Sequence, residues 1–201
     1  MHDNLNILMA QINPVVGALA ANRDKILDVI NKNQHSHDVI VFPELALTGY
    51  PPEDLLYKTE FRLASMACLA EIQAQVKDCY VLIGHPTWMG DERCYNSASL
   101  LHQGAVAVCY HKQKLPNYEV FDESRYFVAG PRSPRVVTIK NHKIGICICE
   151  DLWQPGPVED LIQAGAELIL SPNASPFDHS KYARREALLR AYAKSGLGII
   201  Y

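Results

Sequence analysis

Residues 39–42, VIVF, constrain the fold more than any other stretch. They are apolar and mostly β-branched without a break, and they stop at Pro43. A strand with one wet face alternates apolar and polar residues, whereas an unbroken short apolar run fits a strand covered on both faces. Segments of helical period stand nearby to supply that cover. In residues 19–33, Ile26 and Ile30, with Leu27 and Val29 beside them, recur on one face, and a second helix is expected at 61–76. Further strands are expected at 6–12, 80–84, 136–139, 143–149 and 167–170, with helices at 157–164 and 181–195. Residues 94–101 and 105–110 flank the polar link His102-Gln103-Gly104, the pattern of an antiparallel hairpin. The hairpin makes the sheet mixed, which argues against a plain doubly wound fold.

Two irregular segments interrupt this alternation. Residues 43–57 carry three prolines and a glycine and read as a loop. Residues 112–134 form a second long connection, of a length that is usually functional. Residues 198–201 read as the start of a buried strand, and a compact domain seldom ends inside one, so the expectation is one incomplete domain of a longer parent.

The 201 residues carry 19 basic and 22 acidic side chains, a formal net charge of −3, without long runs of one sign. That balance gives no electrostatic footprint for nucleic acid or an anionic membrane. No stretch approaches the roughly 18 apolar residues of a spanning helix, and no basic leader precedes an apolar run. A cytoplasmic protein is the expectation. Six scattered cysteines in apolar contexts fit reduced thiols, and neither they nor the eight histidines cluster at metal-ligand spacing. No metal is expected.

Three strands end in a reactive residue at the mouth of a loop: Glu44 after VIVF, Lys112 after residues 105–110, and Cys149 after IGICI. Loops at strand ends are where α/β sheets place their sites. A thiol with a reference pKa of about 8.5 needs a base or a cation nearby to act as a nucleophile. Glu44 would accept its proton, and Lys112 would stabilise a thiolate or an oxyanion. On residue type alone the alternatives stay open. Cys149 reads equally as a small buried hydrophobe like Cys147, Glu44 as a helix cap, and Lys112 as an edge charge beside Lys114.

Four segments narrow the choice: FPELALTGYPPEDLL, YHKQKLPNYEVFDESRYF, KIGICICEDLW, and SPNASPF followed by Lys181 and Arg185. Together they resemble the nitrilase, or carbon–nitrogen hydrolase, superfamily, and within it the glutamine-hydrolysing amidase domains of glutamine-dependent NAD synthetases. The resemblance implies a four-layer αββα sandwich. It also implies a triad of Glu44 as general base, Lys112 and Cys149 as nucleophile, with a glutamine pocket built by Tyr50, Tyr118, Glu123, Trp153, Ser175 and Lys181. In that pocket Glu123 would pair with the α-amino group and Lys181 with the α-carboxylate. The amidase reaction would need no cofactor. ATP and magnesium would belong to a synthetase domain of the parent, since no G-x-x-x-x-G-K-[ST] loop stands in these residues. Ammonia passed to that domain would amidate deamido-NAD, and homo-oligomers are implied. Two rival readings are a free-standing amidase or carbamoylase and a truncated, non-catalytic scaffold.

Overall fold

A computed structural model describes residues 4–90, 93–176, 178–179 and 181–201. Phe177 of the SPNASPF segment lies outside them. Two mixed sheets stack face to face. The first has the order β1 (Ile7–Met9), β2 (Val39–Val41), β3 (Tyr80–Met89), β4 (Arg93–His102), β5 (Ala105–His111), parallel from β1 to β3 and antiparallel from β3 to β5. The second has the order β6 (Arg135–Ile139), β7 (His142–Ile146), β8 (Leu168–Leu170), β9 (Gly198–Ile200), antiparallel at β6 and parallel beyond.

Burial follows from the sequence pattern. Ile40 and Phe42 point to one side of β2 and pack with Ile26 and Ile30 of α1 (Leu19–Asn33) and Cys68 and Ile72 of α2 (Thr59–Gln75). Val39 and Val41 point to the other side and meet Leu82 and Leu100 of the first sheet and Ile144, Ile146 and Ile169 of the second. β2 is thus buried on both faces, as its composition demands. The second sheet is covered in turn by Val158 and Leu161 of α4 (Pro157–Gln163) and by Leu188 and Tyr192 of α5 (Lys181–Ala193). The layers run helix, sheet, sheet, helix, the expected sandwich. Each fully buried isoleucine contributes roughly 1.5–3 kcal/mol.

Several element boundaries depart from the sequence reading, β1 among them, which is confined to Ile7–Met9. β3 runs on to Met89 through His85 and Pro86, because beyond Leu82 it has no β2 partner and a proline is tolerated on that free side. The 143–149 strand ends its ladder at Ile146, where its partner β8 also stops at Leu170. Cys149 therefore stands on a turn past the ladder, at the start of a 3-10 helix, Cys149–Leu152. The 112–134 connection contains one short helix, α3 (Glu123–Tyr126), and the 43–57 loop ends in a 3-10 turn, Glu53–Tyr57.

Candidate active site

Tight backbone approaches hold the three strand ends in place. Past β2 the chain turns at Pro43-Glu44, and Leu45 takes a φ of +48°. This turn presses on Gly84 of β3, where a Cβ would lie 2.4 Å from the Leu45 nitrogen and 2.5 Å from the Pro43 oxygen. Lys112 follows β5. Its N–H donates to the Asn96 carbonyl at 2.8 Å, and its own carbonyl accepts from Gly130 N–H at 2.8 Å. A Cβ on Gly130 would sit 2.2 Å from the His111 oxygen. Only glycine lets these segments close on the site.

The Lys112 ammonium lies between two carboxylates, 2.7 Å from Glu44 Oε1 and 2.7 Å from Glu123 Oε1. Exposure is 1% for Lys112, 2% for Glu44 and 4% for Glu123. Burial alone would lower the lysine pKa, but Glu44, a Cys149 thiolate and Glu123 more than offset it and hold the lysine above its ordinary value. Burial and the charge of Glu44 push Glu123 up to about 7, against the pull of Lys112. Glu44 also accepts from Asn96 Nδ2 at 2.8 Å on Oε1 and from Ala174 N–H at 3.1 Å on Oε2. Lys112, the lysine the resemblance implies, has its Nζ on both carboxylates.

Cys149 reaches the same place from the second sheet. Its N–H donates to the Pro172 carbonyl at 3.0 Å, and its φ is +45°, a conformation that L residues adopt only when their surroundings enforce it. The turn separates the two cysteines: Cys147 is sealed in the core, while Cys149 lines a cavity. Its thiol donates to Asn173 Oδ1 at 3.2 Å and lies 3.3 Å from Ser175 Oγ. Burial, then the charge of Glu44, push the thiol well above its ordinary value, with Lys112 and Ser175 opposing. At rest the sulfur therefore keeps its proton, and attack requires a base to take it.

The cavity has a volume of about 330 Å³. Tyr118, Trp153, Ser175 and Lys181 line it together with Cys149, and Glu150, Arg184 and Arg185 add charge. Tyr50 and Glu123 are not among its lining residues. Tyr50 donates its hydroxyl to Glu123 Oε1 at 2.8 Å, so both stand behind Lys112. Glu123 faces the ammonium of the protein's own lysine, which differs from the expected pairing with a substrate amine. Glu150 is the buried carboxylate on the cavity wall, held by the Tyr118 hydroxyl at 2.9 Å and by Gln154 Nε2 at 2.8 Å.

The carbon–nitrogen hydrolase family profile matches residues 7–196. The chain belongs to the carbon–nitrogen hydrolase family. It is 44% identical over 201 residues to the glutamine-dependent NAD(+) synthetase of Xanthomonas campestris pv. campestris (strain 8004), covering 98% of this chain and 36% of that protein. The same-named enzyme of Aquifex aeolicus (strain VF5) is 40% identical, over 96% of this chain and 34% of its own length. Among solved structures, the glutamine-dependent NAD+ synthetase of Acinetobacter baumannii in complex with ADP superposes with a TM-score of 0.88 at 34% identity, covering 98% of this chain and 38% of that one. An amidase from Nesterenkonia sp. shares the fold, with a TM-score of 0.84 at 24% identity over 99% of this chain and 75% of its own. The chain spans little more than a third of the synthetases it matches.

Within this hydrolase domain the sequence reading missed two amides, the buried Asn96 and the half-buried Asn173. Asn96 sits buried in strand β4, beside Ser97, and it touches both Glu44 and the Lys112 backbone. Asn173 meets the thiol and also accepts from Ser175 N–H at 2.8 Å. Arg185 carries a buried Nε without a hydrogen-bond partner and lines the cavity. Among the described residues, no helix is long and apolar enough to cross a membrane.

Proposed function

We propose that this domain hydrolyses the side-chain amide of glutamine through a thioester on Cys149. The observation that carries the reading is the Lys112 ammonium held between Glu44 and Glu123, with the Cys149 thiol lining a charged cavity. Glu44 takes the thiol proton as sulfur attacks the amide carbon, and Lys112 meets the charge developing on the carbonyl oxygen. Glu44 then returns the proton to the departing nitrogen, and ammonia leaves. Water, deprotonated by the same carboxylate, attacks the thioester, releases glutamate and restores the thiol. Glu123 and Tyr50 keep the lysine in place.

The cavity walls suit an amino-acid amide. Glu150 faces the α-ammonium, and Lys181 with Arg185 faces the α-carboxylate, leaving the side-chain amide at Cys149. The unpartnered Nε of Arg185 favours a ligand that brings its own acceptor. Tyr118, Trp153 and Ser175 complete the enclosure. The curated relatives are named as glutamine-dependent NAD(+) synthetases. On that ground the ammonia goes to ATP- and magnesium-dependent amidation of deamido-NAD by a synthetase domain of the same parent, in a cytoplasmic homo-oligomer.

The test is ammonia release from glutamine, with trapping by a glutamine-mimicking chloroketone followed by peptide mass spectrometry. The expected result is a single adduct on Cys149, none on Cys147, and no ammonia from Cys149→Ala. Equal labelling of the two cysteines would sink the reading, and equal turnover of glutamine and simple aliphatic amides would replace glutamine with another amide.

A further inference from the structure

The catalytic groups come from opposite halves of the sandwich. Glu44 and Lys112 lie at the ends of strands in the first sheet, and Asn96 of β4 ties them together. Cys149 lies past β7 of the second sheet, fastened to Pro172 after β8. The reaction proposed above needs sulfur, ammonium and carboxylate in one fixed geometry, so the two sheets must be held in register at this point. Apolar packing between sheets is non-directional and does not by itself set such a register.

We propose that Asp151 is the positioning residue that sets it: its carboxylate clamps the turn bearing Cys149 to the segment bearing Lys112. Asp151 is wholly buried, and both of its oxygens are used. Oδ2 accepts from Ile148 N–H at 3.1 Å and from the Tyr110 hydroxyl at 2.8 Å. Oδ1 accepts from Gln113 N–H at 3.1 Å and from Lys114 N–H at 2.8 Å. Bracing its own turn takes only the bond from Ile148. The other three cross to the first sheet, and their partners flank Lys112, with Tyr110 before it and Gln113 and Lys114 after it.

The partners are all donors, which suits an ionised carboxylate and no neutral side chain of the same shape. Burial pushes Asp151 up to about 6, so at neutral pH it remains charged and every donor keeps an acceptor. Another polar link across the gap is Ala174 N–H to Glu44 Oε2, at 3.1 Å. That bond holds the base near the loop that touches the thiol, while Asp151 holds the lysine segment to the nucleophile's turn. Asp151 lines no part of the cavity and acts only through the groups it positions.

The inference rests on the proposed glutaminase reading, and its test separates the two. In the full chain, Asp151→Asn replaces an acceptor oxygen with a donor facing two donors, while Tyr110→Phe removes a single bond. Glutaminase kinetics and thiol alkylation of Cys149 by iodoacetamide are measured for both, with thermal melting as a folding check. The expected result is a fall in kcat of about 30-fold or more for Asp151→Asn with KM within about threefold, since a misplacement near 1 Å costs on the order of 100-fold. Tyr110→Phe should fall by about 3- to 10-fold with the same KM pattern, and it decides the matter if Asp151→Asn does not fold. A folded variant with unchanged kcat, or one whose loss lies wholly in KM, would overturn the proposal. If the wild type releases no ammonia, the glutaminase reading fails alone. The alkylation rate then decides for Asp151: a change of about tenfold or more in the variant supports the clamp, and an equal rate refutes it.

Discussion

The inner and outer halves of the site are built on different principles. The inner half sets Glu44 and Lys112, at strand ends, against Glu123 at the start of α3; it is almost sealed from water and is closed by mutual hydrogen bonds of 2.7 to 2.8 Å. The outer half, with Tyr118 and Lys181, comes from the long loop and from α5, a helix with no fully buried residue. Its ion pairing is loose: Lys181 Nζ is 3.8 Å from Glu119, a mostly exposed partner. A sealed cluster gains its strength from low dielectric but cannot lose a member cheaply, whereas an open wall tolerates loss and can adapt to a ligand. Under the proposed function, proton transfer and charge stabilisation fall to the rigid half and recognition to the adjustable one.

The sharpest way to break that contrast is to remove one lysine from each half. Lys112→Ala leaves two buried carboxylates facing each other, so glutamine turnover should fall by about 1,000-fold or more, with a stability loss of roughly 3–5 kcal/mol in chemical denaturation. Lys181→Ala should leave the denaturation midpoint nearly unchanged and raise KM by about tenfold with little change in kcat. Comparable losses of kcat in both variants would erase the distinction.

Glu123 tests the sealed half by pH. Its folded pKa, about 7, is raised from the ordinary value of 4.5, chiefly by burial, so the folded state favours the protonated form. That contribution is fully present below pH 4.5 and is lost as the pH rises through 7. Relative to Glu123→Gln, the wild type should therefore lose stability on the order of 3 kcal/mol over that window. Parallel pH–stability curves for the two proteins would contradict this account. Gly130 tests the packing behind Lys112. Gly130→Ala must push the His111 carbonyl aside and should cut turnover by about 100-fold. Gly104→Ala, open to solvent at a φ of +74°, should cost about 1 kcal/mol of strain and leave turnover alone.

What the sequence disclosed follows the same division. Helix 19–33 and the hairpin around His102-Gln103-Gly104 were legible because their periodicity and turn chemistry are local. The three strand-end residues were legible because a reactive side chain closing an apolar run stands out against its neighbours. Glu123 entered only through the resemblance, as a partner for substrate, because nothing near residue 123 indicates that Lys112 is its neighbour. The φ of +45° at Cys149 was not legible, since it arises where the β7 ladder runs out of a partner strand. Asn96 stood among the serines of its strand, and its meaning depended on Glu44, 52 residues away.

The smallest expected effect comes from setting Arg190 of α5 against Arg185, which lines the outer wall. Arg190 pairs with Glu186 one turn away at 2.7 Å, on a mostly exposed surface remote from the cavity. Such pairs contribute about 0.3–0.5 kcal/mol, so Arg190→Ala should be nearly silent in both stability and kinetics. Arg185 has no such pair at its buried Nε, and its guanidinium lies over the Tyr201 ring, 5.4 Å from the centroid. If that nitrogen is reserved for a substrate carboxylate, Arg185→Ala should raise the KM for glutamine by about 3- to 10-fold and leave the KM for an amide lacking the carboxylate unchanged. Equal shifts for both amides would reduce Arg185 to a packing residue and leave carboxylate recognition to Lys181.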